Sequence, residues 1–122
     1  MRGIGIDIVA IKRFQAKKYT RTSTVLKKMF SAHELAYCFS KRNPAAHLAT
    51  HFAAKEALWK ALATSKTFTT PLYSFLLEIE VVHDARGKPD IVFLSSRLKK
   101  HHALLSIADS ESHAIAVVSI EK

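Results

Sequence analysis

The chain has 122 residues, of which 48% are apolar and 24% charged, a globular balance that excludes a disordered or fibrous protein. A fold of this size exposes about 6,600 Å² against roughly 20,000 Å² for the unfolded chain, so a core can form without disulfides or a structural metal. Nineteen Lys and Arg against ten Asp and Glu leave a net charge of +9, which favours an anionic partner: nucleic acid, anionic lipid, a phosphorylated ligand or an acidic protein. Gly3 to Ile11 is a β-branched run that puts Ile4, Ile6 and Ile8 on one strand face. Lys12 to Tyr19 reads as a short basic helix and Thr22 to Phe30 as another. Ser31-Ala32-His33-Glu34 is a capping box that opens a third. Asn43 followed by Pro44 predicts an N-cap and a long helix from Pro44 to about Ala63. Tyr73 to His83 and Asp90 to Leu94 read as strands joined by the turn Asp84 to Pro89. Ser95 to His102 reads as a short helix, then Ala103 to Ala108 and His113 to Ile120 as two closing strands. The order predicts an α+β fold, one domain over residues 1–122, with the long central helix packed on a mostly antiparallel sheet.

Cys38 is the only cysteine, so an intramolecular disulfide is excluded and a reducing, cytoplasmic setting is expected. The opening Met1-Arg2-Gly3-Ile4-Gly5 has no signal-peptide layout. No apolar run approaches the roughly 20 residues that span a bilayer, so no membrane insertion is expected. Basic charge is concentrated early. Arg2, Lys12, Arg13, Lys17, Lys18, Arg21, Lys27 and Lys28 face a single carboxylate, Asp7, before residue 31. This asymmetry reads as a basic docking face, against the plainer alternative of a solvated surface.

Some residues are out of place on their elements. Asp7 interrupts an apolar strand, and a buried carboxylate must be paired, hydrogen-bonded or bound to a metal. On the Pro44–Ala63 helix, Leu48, Phe52, Trp59 and Leu62 form a stripe at helical period. Lys55 lies within that stripe and Glu56 at its edge. Glu56 and Lys60, four apart, form either an ordinary surface ion pair or a functional carboxylate beside an ammonium. His47 and His51 have a spacing that can bind zinc, but no third ligand follows from local spacing. Tyr37, Phe39 and Trp59 read as core, and Cys38 as a small buried hydrophobe.

Gly3-Ile-Gly-Ile-Asp7-Ile-Val-Ala-Ile-Lys-Arg13 resembles the opening strand of the holo-acyl-carrier-protein synthases, small bacterial 4′-phosphopantetheinyl transferases. Phe30-Ser-Ala-His-Glu34-Leu-Ala-Tyr37-Cys38, Phe52-Ala-Ala-Lys55-Glu56-Ala57-Leu-Trp-Lys60-Ala61, Gly87-Lys88-Pro89 and the stretch from Ser106 to Glu121 are similar to its later blocks, in order and at matching spacing. The resemblance implies transfer of 4′-phosphopantetheine from coenzyme A to a serine of apo acyl carrier protein. It also implies release of 3′,5′-ADP, dependence on Mg2+, and a place in fatty acid biosynthesis. Asp7 and Glu56 are the expected metal ligands, and Glu56 and Lys60 the expected catalytic residues. Glu56, or a water it orients, would take the serine proton, while Lys60 would steady the pyrophosphate. His51, Lys55, Lys60, Thr64 and Ser65 are the expected coenzyme A contacts. Lys12, Arg13, Lys17, Lys18 and Arg21 are the expected carrier-protein contacts, and a homotrimer is implied.

The chain departs from the family pattern in three places. Thr50-His51 stands where the family has Gly-Arg, Ala63-Thr64-Ser65 where it has Gly-Thr-Gly, and Leu104 where a histidine is usual. A histidine is a weaker, pH-dependent phosphate contact than an arginine. The alternative readings are a small basic RNA- or ribosome-binding protein, which leaves Asp7 and Glu56 without a role, and a relative that has lost turnover. No nucleic-acid partner is expected on the transferase reading.

Overall fold

The computed structural model describes residues 2–121; Met1 and Lys122, the first and last residues of the expected domain, lie outside the described residues. Strand β1 (Arg2–Ala10) leads into a single 3₁₀ turn, Ile11–Phe14, and then to helices α1 (Thr24–Lys27), α2 (Ala32–Phe39), α3 (Pro44–Leu62) and α4 (Leu72–Phe75). Strands β2 (Ile79–His83) and β3 (Pro89–Phe93) form a hairpin, and β4 (His102–Asp109) and β5 (His113–Glu121) close the chain. β5 lies between β1 and β4 in an antiparallel three-stranded sheet, while β2 and β3 form a separate antiparallel pair. The α+β class and the central helix are as expected. The antiparallel pairing is divided between two sheets.

Alternation along β1 turns Ile4, Ile6 and Ile8 outward and Gly5, Asp7 and Val9 inward, toward α3. On β5 the inward residues are Ala114, Ala116, Val118 and Ile120, all fully buried. α3 is enclosed around most of its circumference, not along the one expected stripe: Ala49, Ala53, Ala54, Ala57 and Ala61 are buried together with Leu48, Phe52, Leu58 and Leu62. The alanines bring strand and helix backbones together. A Cβ on Gly3 would collide with the carbonyl oxygen of Ala61, and one on Gly5 with that of Ala57. This is the close approach that requires glycine. It places Asp7 against the last turns of α3.

Other expected elements are shorter than the sequence implies. Lys12–Tyr19 supplies only the 3₁₀ turn, because Ile11 and Phe14 are its buried anchors and the basic residues beyond have no apolar face to pack. Thr22–Phe30 shrinks to α1, capped by the Ser23 side chain. The expected strand from Tyr73 begins as a helix instead. Pro71 precedes α4, and Phe75 and Leu76 are both fully buried, which an alternating strand does not allow. Ser95–His102 holds one 3₁₀ turn, Ser96–Leu98. The Ser31–Glu34 capping box forms as expected. Asn43, in contrast, makes no side-chain cap, and α3 starts on Pro44, whose missing N–H leaves one fewer donor to satisfy.

Candidate active site

Three residues of the expected site converge where β1 crosses α3. Asp7 reaches inward from β1 and is buried, while Glu56 and Lys60 lie one turn apart on α3, half-buried and exposed respectively. The Lys60 ammonium does not pair with Glu56. It donates to Asp7 Oδ1 at 3.2 Å and to the Ile6 carbonyl at 3.1 Å. Asp7 Oδ2 is buried without a hydrogen-bond partner. Burial, reinforced by the neighbouring Asp7 carboxylate, pushes the Glu56 carboxyl up to about 7, against the pull of Lys60 and Arg13. Two carboxylates crowd one another, and a single ammonium offsets part of their charge. Such a pair is suited to accept a proton near neutral pH and to share a cation.

The donor set fits magnesium, which takes one or two carboxylates and completes its shell with waters and substrate phosphates. The orphaned Asp7 Oδ2 beside Glu56 is the observation that carries the fit. Among the described residues no group of three or more His, Cys, Asp or Glu side chains is set to hold a metal ion.

Two of the expected coenzyme A contacts lie elsewhere. Lys55 is fully buried, and its ammonium donates to Glu34 Oε1 at 2.6 Å and to the carbonyls of Leu76 at 2.8 Å and Met29 at 2.9 Å. His51 is also fully buried, nine residues before Lys60 or about 13 Å along the helix axis. Its Nε2 is 2.9 Å from Nε2 of His83. The residue that sequence reasoning missed is Glu34. It closes the capping box through Ser31, accepts from Lys55, and accepts the Val81 N–H at 3.0 Å. Burial opposes its charge, but the facing His51 and the charge of Lys55 hold its carboxyl below the usual value. A lysine in an apolar stripe needs a carboxylate from another element, and that was the available signal.

Thr64 and Ser65 follow α3 directly. Ser65 lines a cleft of about 300 Å³ with Thr67, Phe68, Arg97 and Lys100, and Arg97 is held there by a two-pronged bond to Glu78. Among the basic residues, Lys12, Arg13, Lys17, Lys18 and Arg21 are exposed and make no ion pair among the described residues. Arg13 also packs its guanidinium on an aromatic ring of α3, 4.6 Å above Phe52, and its charge is felt at Glu56. Burial, then the charge of Glu34, pushes the Cys38 thiol up to about 12, which leaves it unreactive.

Residues 3–118 match the model of the 4′-phosphopantetheinyl transferase superfamily. The chain is 42% identical to the holo-[acyl-carrier-protein] synthase of Chlamydia trachomatis serovar D over 99% of this chain and 100% of that one. It superposes on the holo-[acyl-carrier-protein] synthase of Neisseria meningitidis with a TM-score of 0.78 at 32% identity, covering 98% of both chains. It also superposes on the Helicobacter pylori synthase solved with coenzyme A, with a TM-score of 0.76 at 28% identity, covering 97% of this chain and 99% of that one.

Proposed function

The chain belongs to the 4′-phosphopantetheinyl transferase superfamily, and on that premise we propose that it moves 4′-phosphopantetheine from coenzyme A to a serine of an acyl carrier protein. The observation that carries this reading is the buried Asp7 carboxylate next to Glu56, with Lys60 bonded to Oδ1 and Oδ2 left without a partner. The serine hydroxyl attacks the pyrophosphate phosphorus that bears the pantetheine arm. The bond to the bridging oxygen breaks, and 3′,5′-ADP leaves. Glu56, its carboxyl raised to about 7, takes the serine proton directly or through a water. Lys60 steadies the leaving phosphate, and its bond to the Ile6 carbonyl fixes where the ammonium points. Asp7 and Glu56 would hold Mg2+, which when bound supplies positive charge for the pyrophosphate.

Ser65, which lines the cleft beyond α3, and the adjoining Thr64 would meet the nucleotide part of coenzyme A. Lys55 and His51 support the site from within the fold rather than by contact. Arg13, with Lys12, Lys17, Lys18 and Arg21, offers the exposed cationic surface that an acidic carrier protein needs. The outward face of the three-stranded sheet carries Ile4, Ile6, Ile8 and Leu104, all exposed. We assign it to contact between copies in a homotrimer. No helix among the described residues is long and apolar enough to cross a membrane, and the setting proposed is the cytoplasm, in support of fatty acid synthesis.

The deciding experiment incubates apo acyl carrier protein with this protein, coenzyme A and magnesium and follows the carrier by intact-protein mass spectrometry. The expected result is a gain of one phosphopantetheine that is abolished by a chelator. Glu56→Gln should lower the rate about 10²- to 10⁴-fold, the usual contribution of a positioned general base, with the circular dichroism spectrum unchanged. No gain by the unaltered protein overturns the transferase reading, and full activity in Glu56→Gln overturns the role of that carboxylate.

A further inference from the structure

A line of polar contacts runs from the interior to the β2–β3 turn, on a part of α3 remote from Asp7. Glu34 Oε2 on α2 is 3.3 Å from His51 Nδ1 on α3, an ion-pair distance outside hydrogen-bond geometry, so it is the facing carboxylate charge that favours a proton on that nitrogen. His51 Nε2 is 2.9 Å from His83 Nε2 on β2, and His83 Nδ1 is 3.2 Å from the Gly87 carbonyl in the turn. Both ends of this line, a carboxylate and a carbonyl, accept hydrogen bonds and cannot donate. Each Nδ1 therefore needs a proton, and the Nε2 pair needs one between them. That makes three protons on two imidazoles, one more than two neutral rings carry. With only two protons, one of the three contacts becomes lone pair against lone pair.

We infer that His51 and His83 share one positive charge and form a pH-sensitive latch that ties the β2–β3 hairpin to α3. The inference rests on the fold and not on the transferase reading. The surroundings fit a single shared charge. From α2, Glu34 faces His51, and the Tyr37 ring stacks on both imidazoles, with centroids 5.5 Å from His51 and 4.0 Å from His83. The buried, protonated Cys38 thiol adds none. Lys41, which follows α2, lies over the outer part of Tyr37. On α3 itself, burial and the charge of His51 push the neighbouring His47 imidazole down. Asp109 of β4 acts on His47 in the opposite sense. From β2, Glu80 acts on Lys55, and His33 Nδ1 of α2 lies 3.7 Å from Glu80 Oε1.

Burial pushes the His83 imidazole below its usual value, against the Gly87 bond that favours its charge. His83 Nδ1 meets a neutral carbonyl and His51 Nδ1 a carboxylate, so the shared charge is placed toward Glu34 and His83 is the Nδ1–H partner. Loss of the third proton falls at the solvent end. His51 keeps Nδ1–H toward Glu34, the remaining proton moves to His83 Nε2, and His83 Nδ1 is left bare against the Gly87 carbonyl. The turn then lets go. Its own bonds, Gly87 N–H to Asp84 O at 2.9 Å and Asp84 N–H to Lys88 O at 3.0 Å, report the release. The sign follows from the proton count: the latch is closed at the acidic end of the range and opens as pH rises.

The test is ¹⁵N NMR of the histidine side chains in the full chain from pH 5 to 9, with amide exchange of Asp84 and Gly87 measured alongside. The expected result is one coupled one-proton step seen on both rings, with His83 changing from Nδ1–H to Nε2–H across it. Once the intrinsic pH dependence of exchange is removed, turn exchange should rise about fivefold through the step, the loss of about one net hydrogen bond. In His83→Gln, a change at the half-buried rim that spares the core, the step on His51 should lose its coupling and the turn should exchange independently of pH. Separate titration of the two rings, a single His83 tautomer throughout, or the same pH-dependent turn exchange in His83→Gln would each overturn the latch.

Discussion

At the scale of single residues, the fold keeps two carboxylates close at a site where burial disfavours charge on Glu56. Glu56 carries the consequence, its carboxyl raised to about 7 by burial and by Asp7. A carboxyl raised in the folded state contributes stability that is complete below its unfolded value of 4.5 and is lost as pH rises through about 7. Discounted for solvent screening at this half-buried position, the loss is about 1 kcal/mol between pH 5 and 8. Urea titrations without metal should therefore show the unaltered protein losing that much relative to Glu56→Gln, whose neutral amide does not titrate. Millimolar magnesium should restore it at pH 8 and do little at pH 5. Parallel pH curves for the two proteins would show that the pair does not strain the fold. Asp7 and Glu56 were legible in the sequence because a carboxylate within an apolar strand, or at the edge of an apolar stripe, stands out from its neighbours. Their meeting was not legible from spacing alone, since 49 positions separate them and the distance closes only through the packing of β1 on α3. Lys55 shows the same limit in reverse. Its oddity was visible, but the partner that explains it, Glu34, already had a local role as the closing residue of a capping box.

At the scale of elements, α3 was legible nearly to the residue, because Pro44 starts it and its length exceeds what periodicity can confuse with a strand. Short elements were less legible. Their extents depend on which side chains reach the core, as with Ile11 and Phe14, or Phe75 and Leu76. The junction of β1 with α3 depends on glycine for a reason that differs from the hairpin's. At Gly5 a Cβ would overlap the Ala57 carbonyl oxygen and lie 2.8 Å from Ala61 N, backbone atoms that cannot rotate away. At Gly87 nothing is within 4 Å, but φ is +83°. Gly5→Ala should therefore cost about 2–3 kcal/mol by overpacking, and it should also lower transfer because the neighbouring Asp7 is displaced. Gly87→Ala should cost about 1 kcal/mol from backbone strain and leave transfer intact. Urea midpoints and initial rates on both variants check this, and equal costs with equal rates would refute the distinction.

At the scale of the whole molecule, the three-stranded sheet has one face filled by α3 and the other bare. The bare face carries Ile4 at 70% and Leu104 at 75% exposure, in register across Ser119, with Ile6, Ile8 and Ile115 beside them. A contiguous apolar face on a chain with a net charge of +9 favours contact between copies, because burial of the isoleucines must outweigh repulsion between like-charged subunits. Heterologous contact through this face that closes by rotation gives a ring. Ile4→Lys with Leu104→Lys places two charges in one row of that face, where they meet solvent in a monomer but are buried in a ring. Sedimentation equilibrium should show three chain masses for the unaltered protein and one for the double variant. The melting temperature of the unaltered protein should rise with concentration, and that of the variant should not. If the site depends on the neighbouring copy, the variant should also lose transfer while Asp7, Glu56 and Lys60 remain in place. A single chain mass for the unaltered protein at every concentration would refute the ring, and an unchanged assembly in the double variant would move the contact to another face.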